Sequence, residues 1–563
     1  MKSDKKFFPS MMGIFCFLLL GALMATDTQL HSFDKPHGGV PHGGSWVVLL
    51  DEVSFVFLFM VLMVSLSVFS YSRGYMSGDR MWNKFIVLLF MFAFSMILLS
   101  LSASPMLSIL GWDGLGLSSV GLIFYYCGWV GFRNGMVTFF CNRVGDVFFM
   151  AVILVFFVSP TWDPIALMMF LVLSGVTKSA QFPFHIWLPM AMAAPTPVSS
   201  LVHSSTLVTA GILIMVRYLH TSEDLSLLMK GLVFLSTMTL ILSGISSSAE
   251  QDVKKVIALS TLVHLSMIMI FISLGDYFPA MVHLLCHAFM KSGLFMVAGW
   301  QIHNSSGSQD LRGLASHPVS SPTPWAVMST SLLSMVGLPF MSGFCSKELM
   351  LSSLIEDSHL SVPVLGIYLG VFFSMMYSTR LFFLPLSSVP GVLTMQDWGS
   401  EFRMFFPLTL SSLGSVVLGS ILYPLSQRVE EMQESHFTMM SQKGVVLVVS
   451  LLALFFALLL NMGVAKKKIS YSFSKMNLVP YVCSVMTSSS RPTSSWVHAL
   501  DKEGFTGFLV KKGYLIFKSM SLMSIPIAES SKPQFIKLFL ICLMIHTIMY
   551  MYGSKIIYKW WSK

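Results

Sequence analysis

At 563 residues, 55% hydrophobic and only 11% charged, with a mean hydropathy of +0.74, this chain is too apolar for a water-soluble fold. Its formal charge of +9 is spread over loops and the C-terminal region. No dense basic patch with interleaved aromatics is present, which argues against nucleic acid as a partner and leaves loop topology and anionic lipid to account for the charge.

Only helices and closed barrels satisfy their backbone in lipid. Continuous apolar runs such as 55–68 and 445–460 fit helices, not the short alternating strands of a barrel. The expected fold is therefore all-α and polytopic, with about sixteen membrane segments of ~20 residues. The first, 7–24, follows Lys2, Lys5 and Lys6 and reads as a retained helix in preference to a cleaved signal. The next four are expected at 46–71, 84–103, 105–127 and 134–158.

Two polar features fall in these early segments. Asp113, in Gly111-Trp112-Asp113-Gly114, is an acid in an apolar run. It needs a cationic partner or cavity water, unless it caps a helix near Ser104-Pro105. Arg143 and Asp146 are spaced i, i+3 and can pair with each other, as a structural bridge or as part of a transport path.

The segment 163–190 is expected to be broken. Lys178 follows an apolar run, and Pro183 and Pro189 come soon after it. Proline removes backbone donors, and broken backbone at membrane depth survives only inside protein or along a hydrated cavity. A lysine there is a candidate ion-handling group. His203 lies just beyond, among Ser204, Ser205 and Thr206; it fits either a hydrated path or a bond to a nearby carbonyl.

Further segments are expected at 197–219, 229–247, 255–275 and 278–302. Lys254 and Lys255 read as a helix end with side chains snorkelling to the interface. His283, His287 and Lys291 recur at i, i+4, i+8 and so share one helical stripe. Histidine titrates near neutrality, and such a stripe can pass protons; the alternative is hydrogen-bonded packing. The HExxH pattern of a zinc site is missing.

A second break is expected at Gly337-Leu338-Pro339, between segments 323–341 and 343–356, with Lys347 and Glu348 just after it. Paired breaks suggest two inverted repeats. Segments at 362–387, 404–423 and 444–463 follow. Residues 464–533 are more polar and proline-bearing, and are expected to lie along the membrane surface; 534–563 would carry a terminal anchor helix. The expected division is thus 1–104, 105–387 for the repeat core, 388–463, 464–533 and 534–563.

Seven cysteines show no CxxC pairing, and no zinc or iron–sulfur spacing or dinucleotide fingerprint occurs, so no cofactor is indicated in this chain. The 44 methionines would suit a mitochondrial genetic code.

The run from Lys178-Ser-Ala-Gln-Phe-Pro-Phe-His to Thr209-Ala-Gly211, with Gly-Trp-Asp-Gly-Leu-Gly, Asn-Arg-Val-Gly-Asp, His-x3-His-x3-Lys and Gly-Phe-Cys-Ser-Lys-Glu in order, resembles the chain 5 family of mitochondrial NADH:ubiquinone oxidoreductase (respiratory complex I), one of the antiporter-like membrane-arm subunits. The resemblance is strong over about 46–387. It implies a proton-translocating subunit of the inner mitochondrial membrane. Asp113 would pair with Lys178, the relay would continue through His203, His283, His287 and Lys291, and Lys347 with Glu348 would stand at the exit. Arg143, Asp146 and Lys254 are counted with this set. FMN, iron–sulfur clusters and ubiquinone would sit on other subunits, and the partners would be neighbouring antiporter-like subunits and lipids such as cardiolipin. The alternative is a subunit of a cation/proton antiporter. The chain departs from the family pattern in having Asp113 for Glu, Met190 for Ala or Asp, Val263-His264-Leu265-Ser266 for Ser-Gln-Leu-Gly, and Ser292-Gly293 for Ala-Leu.

Overall fold

The computed structural model describes residues 48, 51–126, 128–158, 164–219, 226–305, 307–311, 322–338, 341–356, 361–387 and 404–418. The expectations for 7–24, 388–403, 444–463, 464–533 and 534–563 lie outside these residues, as do Cys16, Cys127, Cys483 and Cys542.

The regular elements among the described residues are helices, joined by turns and short connections, with two isolated bridges, Val48 with Ser102 and Asp252 with Asp310. The first four helices are α1 (Glu52–Tyr75), α2 (Trp82–Leu101), α3 (Pro105–Ile123) and α4 (Trp129–Val158). Helix α3 starts where its residues dictate: Pro105 occupies the first turn and the Ser104 hydroxyl accepts from the Leu107 amide. Helix α4 begins at Trp129, several residues before the expected 134.

The first break follows the prolines. Helix α5 (Pro164–Lys178) stops, a 3₁₀ turn (Phe184–Ile186) and the short α6 (Trp187–Ala191) intervene, and α7 (Thr196–Leu201) then runs through a π-helical turn (Val202–Thr206) into α8 (Leu207–Leu219). Ala180 takes a left-handed conformation at φ 54°, which costs a non-glycine residue about 1–2 kcal/mol. The Trp187 indole donates to the Thr177 carbonyl at 3.0 Å and so covers the open end of α5.

Then come α9 (Ser226–Ala249), α10 (Val253–Leu274), α11 (Tyr277–Asn304), α12 (Pro322–Val336), α13 (Ser342–Glu356), α14 (Ser361–Ser387) and α15 (Met404–Leu418). The second break also falls where expected. Gly337, at φ +85°, ends α12, and α13 resumes at Ser342; Pro339 and Phe340 lie outside the described residues.

Among the described residues, nine helices are long and apolar enough to cross a membrane. The most apolar stretches of the α7–α8 segment and of α10 are wholly enclosed and that of α11 almost so, whereas α4 and α9 bury less than half of theirs. Helix α11 is the axis, touching α1, α7, α10, α12 and α13. Many buried serines share one habit. Ser65 donates to Leu62, Ser260 to Ile257 and Ser374 to Val371, each to a carbonyl one turn back in its own helix.

Candidate functional site

The first break places Lys178 against α3. Its side chain is fully buried, and Nζ lies 4.8 Å from the centroid of the Trp112 ring and donates to the Trp112 carbonyl at 3.4 Å. Gly116 lies beside it, where a Cβ would stand 3.6 Å from Nζ, an ordinary contact. On its far edge the indole donates to Asp146 Oδ1 at 2.8 Å. Arg143 donates to Asp146 Oδ2 at 3.0 Å and lies 3.8 Å from Asp113 Oδ1. The cation that Asp113 requires is therefore Arg143 of α4. Asp113 is no helix cap, because Ser104 caps α3 and Asp113 sits two turns further in. Lys178 and Asp113, expected to pair, make no direct ion pair among the described residues; Arg143 takes that place beside Asp113, and the two are linked only through Trp112, Asp146 and Arg143.

His203 lies in the π-helical turn, fully buried, its ring 6.2 Å from that of Trp187. A π turn displaces one residue from the regular ladder and recurs at functional sites. Neither ring nitrogen of His203 has a hydrogen-bond partner among the described residues, so the bond to a nearby carbonyl is not made. His185, absent from the sequence-derived set, is buried and unpartnered in the same way.

Lys254 corrects an expectation. It does not snorkel: it is 5% exposed and donates to the Ala194 carbonyl at 3.2 Å, at the end of the proline-rich break. Its side chain turns inward to Ala194, whereas that of Lys255, next on the same helix, turns outward. Lys255 is the exposed one, 2.5 Å from Asp252 and 3.7 Å from Glu250. Burial lifts the Glu250 carboxyl above the usual range, against the pull of Lys255.

The centre is built on α11. His283, His287 and Lys291 are all buried, as one stripe of an enclosed helix requires. Lys291 donates to Ser260 Oγ at 2.6 Å and lies 5.4 Å from the centroid of the Tyr377 ring. His283 Nδ1 is 2.9 Å from Ser346 Oγ, and its Nε2 is 3.1 Å from Nδ1 of His264 on α10. His264 Nε2 in turn is 2.8 Å from the Tyr377 hydroxyl. The His287 ring lies 5.4 Å from that of His264, with no hydrogen-bond partner on either nitrogen among the described residues. Although three imidazoles meet, the described residues hold no group of three His, Cys, Asp or Glu arranged to bind a metal.

Beside the second break, Lys347 Nζ donates to the carbonyls of Met335 and Val336 at 2.6 and 3.0 Å and to Ser374 Oγ at 3.0 Å. It thus closes the C-terminal end of α12. Glu348 follows on another side of α13, half-buried.

Residues 102–374 match the family model described as NADH:quinone oxidoreductase/Mrp antiporter, TM, and residues 43–86 match NADH-Ubiquinone oxidoreductase (complex I), chain 5 N-terminus. NADH-ubiquinone oxidoreductase chain 5 of Mytilus edulis is 39% identical over 393 residues, covering 67% of this chain and 68% of the relative. The chain belongs to the NADH-ubiquinone oxidoreductase chain 5 family. The chain 5 relative from Aedes aegypti is 36% identical over the same shares of the two chains. Among solved structures, the Mrp complex from Dietzia sp. superposes with a TM-score of 0.66 at 23% identity, covering 86% of this chain and 56% of that one; the likeness is one of fold. The family match at 102–374 encloses every candidate site residue from Asp113 to Glu348, while Tyr377 falls just beyond it.

Sequence reading missed Trp112 as the seat of Lys178, and it missed Ser260, Ser346 and Tyr377. His264 was visible as an additional histidine in an apolar run, but nothing nearby in sequence announced its partners.

Proposed function

We propose that this chain 5 family member is a proton-translocating membrane-arm subunit of respiratory complex I, working in the inner mitochondrial membrane. The carrying observation is the setting of Lys291. It is fully buried on the central helix, it donates to a serine, and among the described residues no carboxylate lies within ion-pair distance. A charge at such depth is costly and is kept where it serves an ion path. The titratable groups form a succession: the Lys178 network, His203 and Lys254 at the first break, the α11 stripe, then Lys347 with Glu348 at the second.

In this reading the two broken helices belong to two inverted repeats within 105–387, and the whole chain carries about sixteen membrane segments. Residues 464–533 brace neighbouring antiporter-like subunits, with 534–563 as the anchor, and anionic lipids such as cardiolipin line the outer helices. This chain carries no redox site; FMN, iron–sulfur clusters and ubiquinone are held by other subunits, whose NADH oxidation drives the transfer. The fold shared with the Mrp complex supports a second reading, a subunit of a cation/proton antiporter. Co-purification with flavin and iron–sulfur subunits separates the two.

The test is Lys291→Met in the assembled complex, reconstituted in vesicles. Protons moved per NADH oxidised should fall severely while the complex still assembles. An unchanged ratio would sink the proposal.

A further inference from the structure

The α11 stripe does not stand alone. Tyr377 on α14, His264 on α10, His283 on α11 and Ser346 on α13 form one unbroken hydrogen-bonded file, with links of 2.8, 3.1 and 2.9 Å. All four side chains are buried. Four separate helices supply one member each, so the file exists only in the packed protein. At one end, the Lys291 ammonium lies over the Tyr377 ring. At the other, Ser346 is the chain neighbour of Lys347, which also donates to Ser374, one turn before Tyr377 on α14.

Each imidazole in the file uses both nitrogens, and a neutral imidazole has one donor and one acceptor. Only two hydrogen arrangements therefore give every link one donor and one acceptor. In the first, all hydrogens point toward Ser346: the Tyr377 hydroxyl donates to His264 Nε2, His264 Nδ1–H to His283 Nε2, and His283 Nδ1–H to Ser346 Oγ. In the second, all point toward Tyr377. Ser346 also places its own hydroxyl toward the Gly343 carbonyl, at 3.3 Å, which favours the first arrangement at rest.

Passing from the first arrangement to the second moves one proton along the file. The Tyr377 hydrogen goes to His264 Nε2, the His264 Nδ1 hydrogen to His283 Nε2, and the His283 Nδ1 hydrogen to Ser346 Oγ, which gives its own to a water at the second break. Tyr377 is refilled by a water on the Lys291 side. One proton enters, one leaves, and no electron moves; rotation of the hydroxyls and exchange of the ring tautomers reset the file.

We infer that His264 is a proton-relay residue, carrying protons between the Lys291 centre and the second break through Tyr377, His283 and Ser346. This rests on the proton-translocating reading. It goes beyond it in giving a role to a residue that the resembling chains replace with glutamine, and a glutamine amide does not take up a proton on one side while releasing one on the other.

The test uses the whole complex in proteoliposomes, with assembled complex quantified on native gels and protons counted per NADH. Three variants are compared: Lys291→Met, His264→Gln and Tyr377→Phe. The expected result is a loss of at least about half of the wild-type ratio in His264→Gln and Tyr377→Phe per assembled complex, together with a changed solvent deuterium isotope effect on the pumping rate. A purely structural His264 would lower the amount of complex and leave ratio and isotope effect alone, and that outcome overturns the inference. If Lys291→Met abolishes pumping while both other variants keep the wild-type ratio, the relay falls and the proposed function stands. If Lys291→Met pumps normally, the proposed function itself falls. Should His264→Gln not assemble, Tyr377→Phe, which removes a single oxygen, carries the test.

Discussion

The two breaks begin from the same sequence device, a lysine beside a proline- and glycine-interrupted helix, and end in different electrostatics. At the first, Lys178 closes the helix before the break and rests on an indole that is itself bonded to a carboxylate. Arg143 and a second acid, Asp113, complete that network. At the second, Lys347 belongs to the helix after the break and reaches back to the open carbonyls of the helix before it. Its recorded partners are two backbone oxygens and one hydroxyl. One lysine is set by side-chain charge and the other by the end of a helix. Neutralising acids should therefore disturb the first break far more than polar trimming disturbs the second.

The largest expected effect is at Asp146. Asp146→Asn weakens its bonds to both Trp112 and Arg143, and hydrogen bonds to charged groups are worth roughly 1.5–3 kcal/mol each. The assembled complex should inactivate at a distinctly lower temperature, and proton pumping should fall with it. Next is Gly337→Ala. The left-handed conformation alone costs about 1–2 kcal/mol for a residue with a Cβ. The added carbon would also stand 3.3 Å from Lys347 Cδ. Thermal inactivation should show the loss, and Gly337→Asn should recover part of it. The smallest is Ser374→Ala, which removes one of the three recorded partners of Lys347 for about 1 kcal/mol, with pumping slowed and not abolished. If Asp146→Asn and Ser374→Ala cost the same in thermal inactivation, the contrast between the breaks is broken.

Much of the membrane layout was legible in the described region, because each crossing is an apolar run of about twenty residues and its interruptions are prolines and glycines. The breaks after Lys178 and before Lys347 announced themselves in this way. The faces of the helices did not. A helix apolar all round carries no stripe to show which side meets a neighbour. Hence Asp113 could be recognised as needing a cation, but Arg143, thirty residues on, could not be picked out as that cation. Depth was hidden for the same reason. Lys254 and Lys255 are adjacent at a helix start, yet one is enclosed against Ala194 and the other reaches the acids at the edge. The His264–Tyr377 link joins residues more than a hundred positions apart, and only the packing of α10 against α14 brings them together.

The habit of the serines bears on how such a chain is made. A hydroxyl that donates to its own helix one turn back has hidden its hydrogen before any other helix arrives. A newly synthesised segment can then leave the translocon for lipid with a smaller polar penalty than its serine content suggests. What stays available is the oxygen lone pair, silent during insertion and usable afterwards. Ser260 and Ser374 each meet a lysine in this way, as acceptors for Lys291 and Lys347. The polar interior thus arises at helix assembly, out of helices that each enter the bilayer as nearly apolar cylinders. Ser260→Ala should accordingly insert as readily as the natural chain, its cost appearing only once α11 packs against α10.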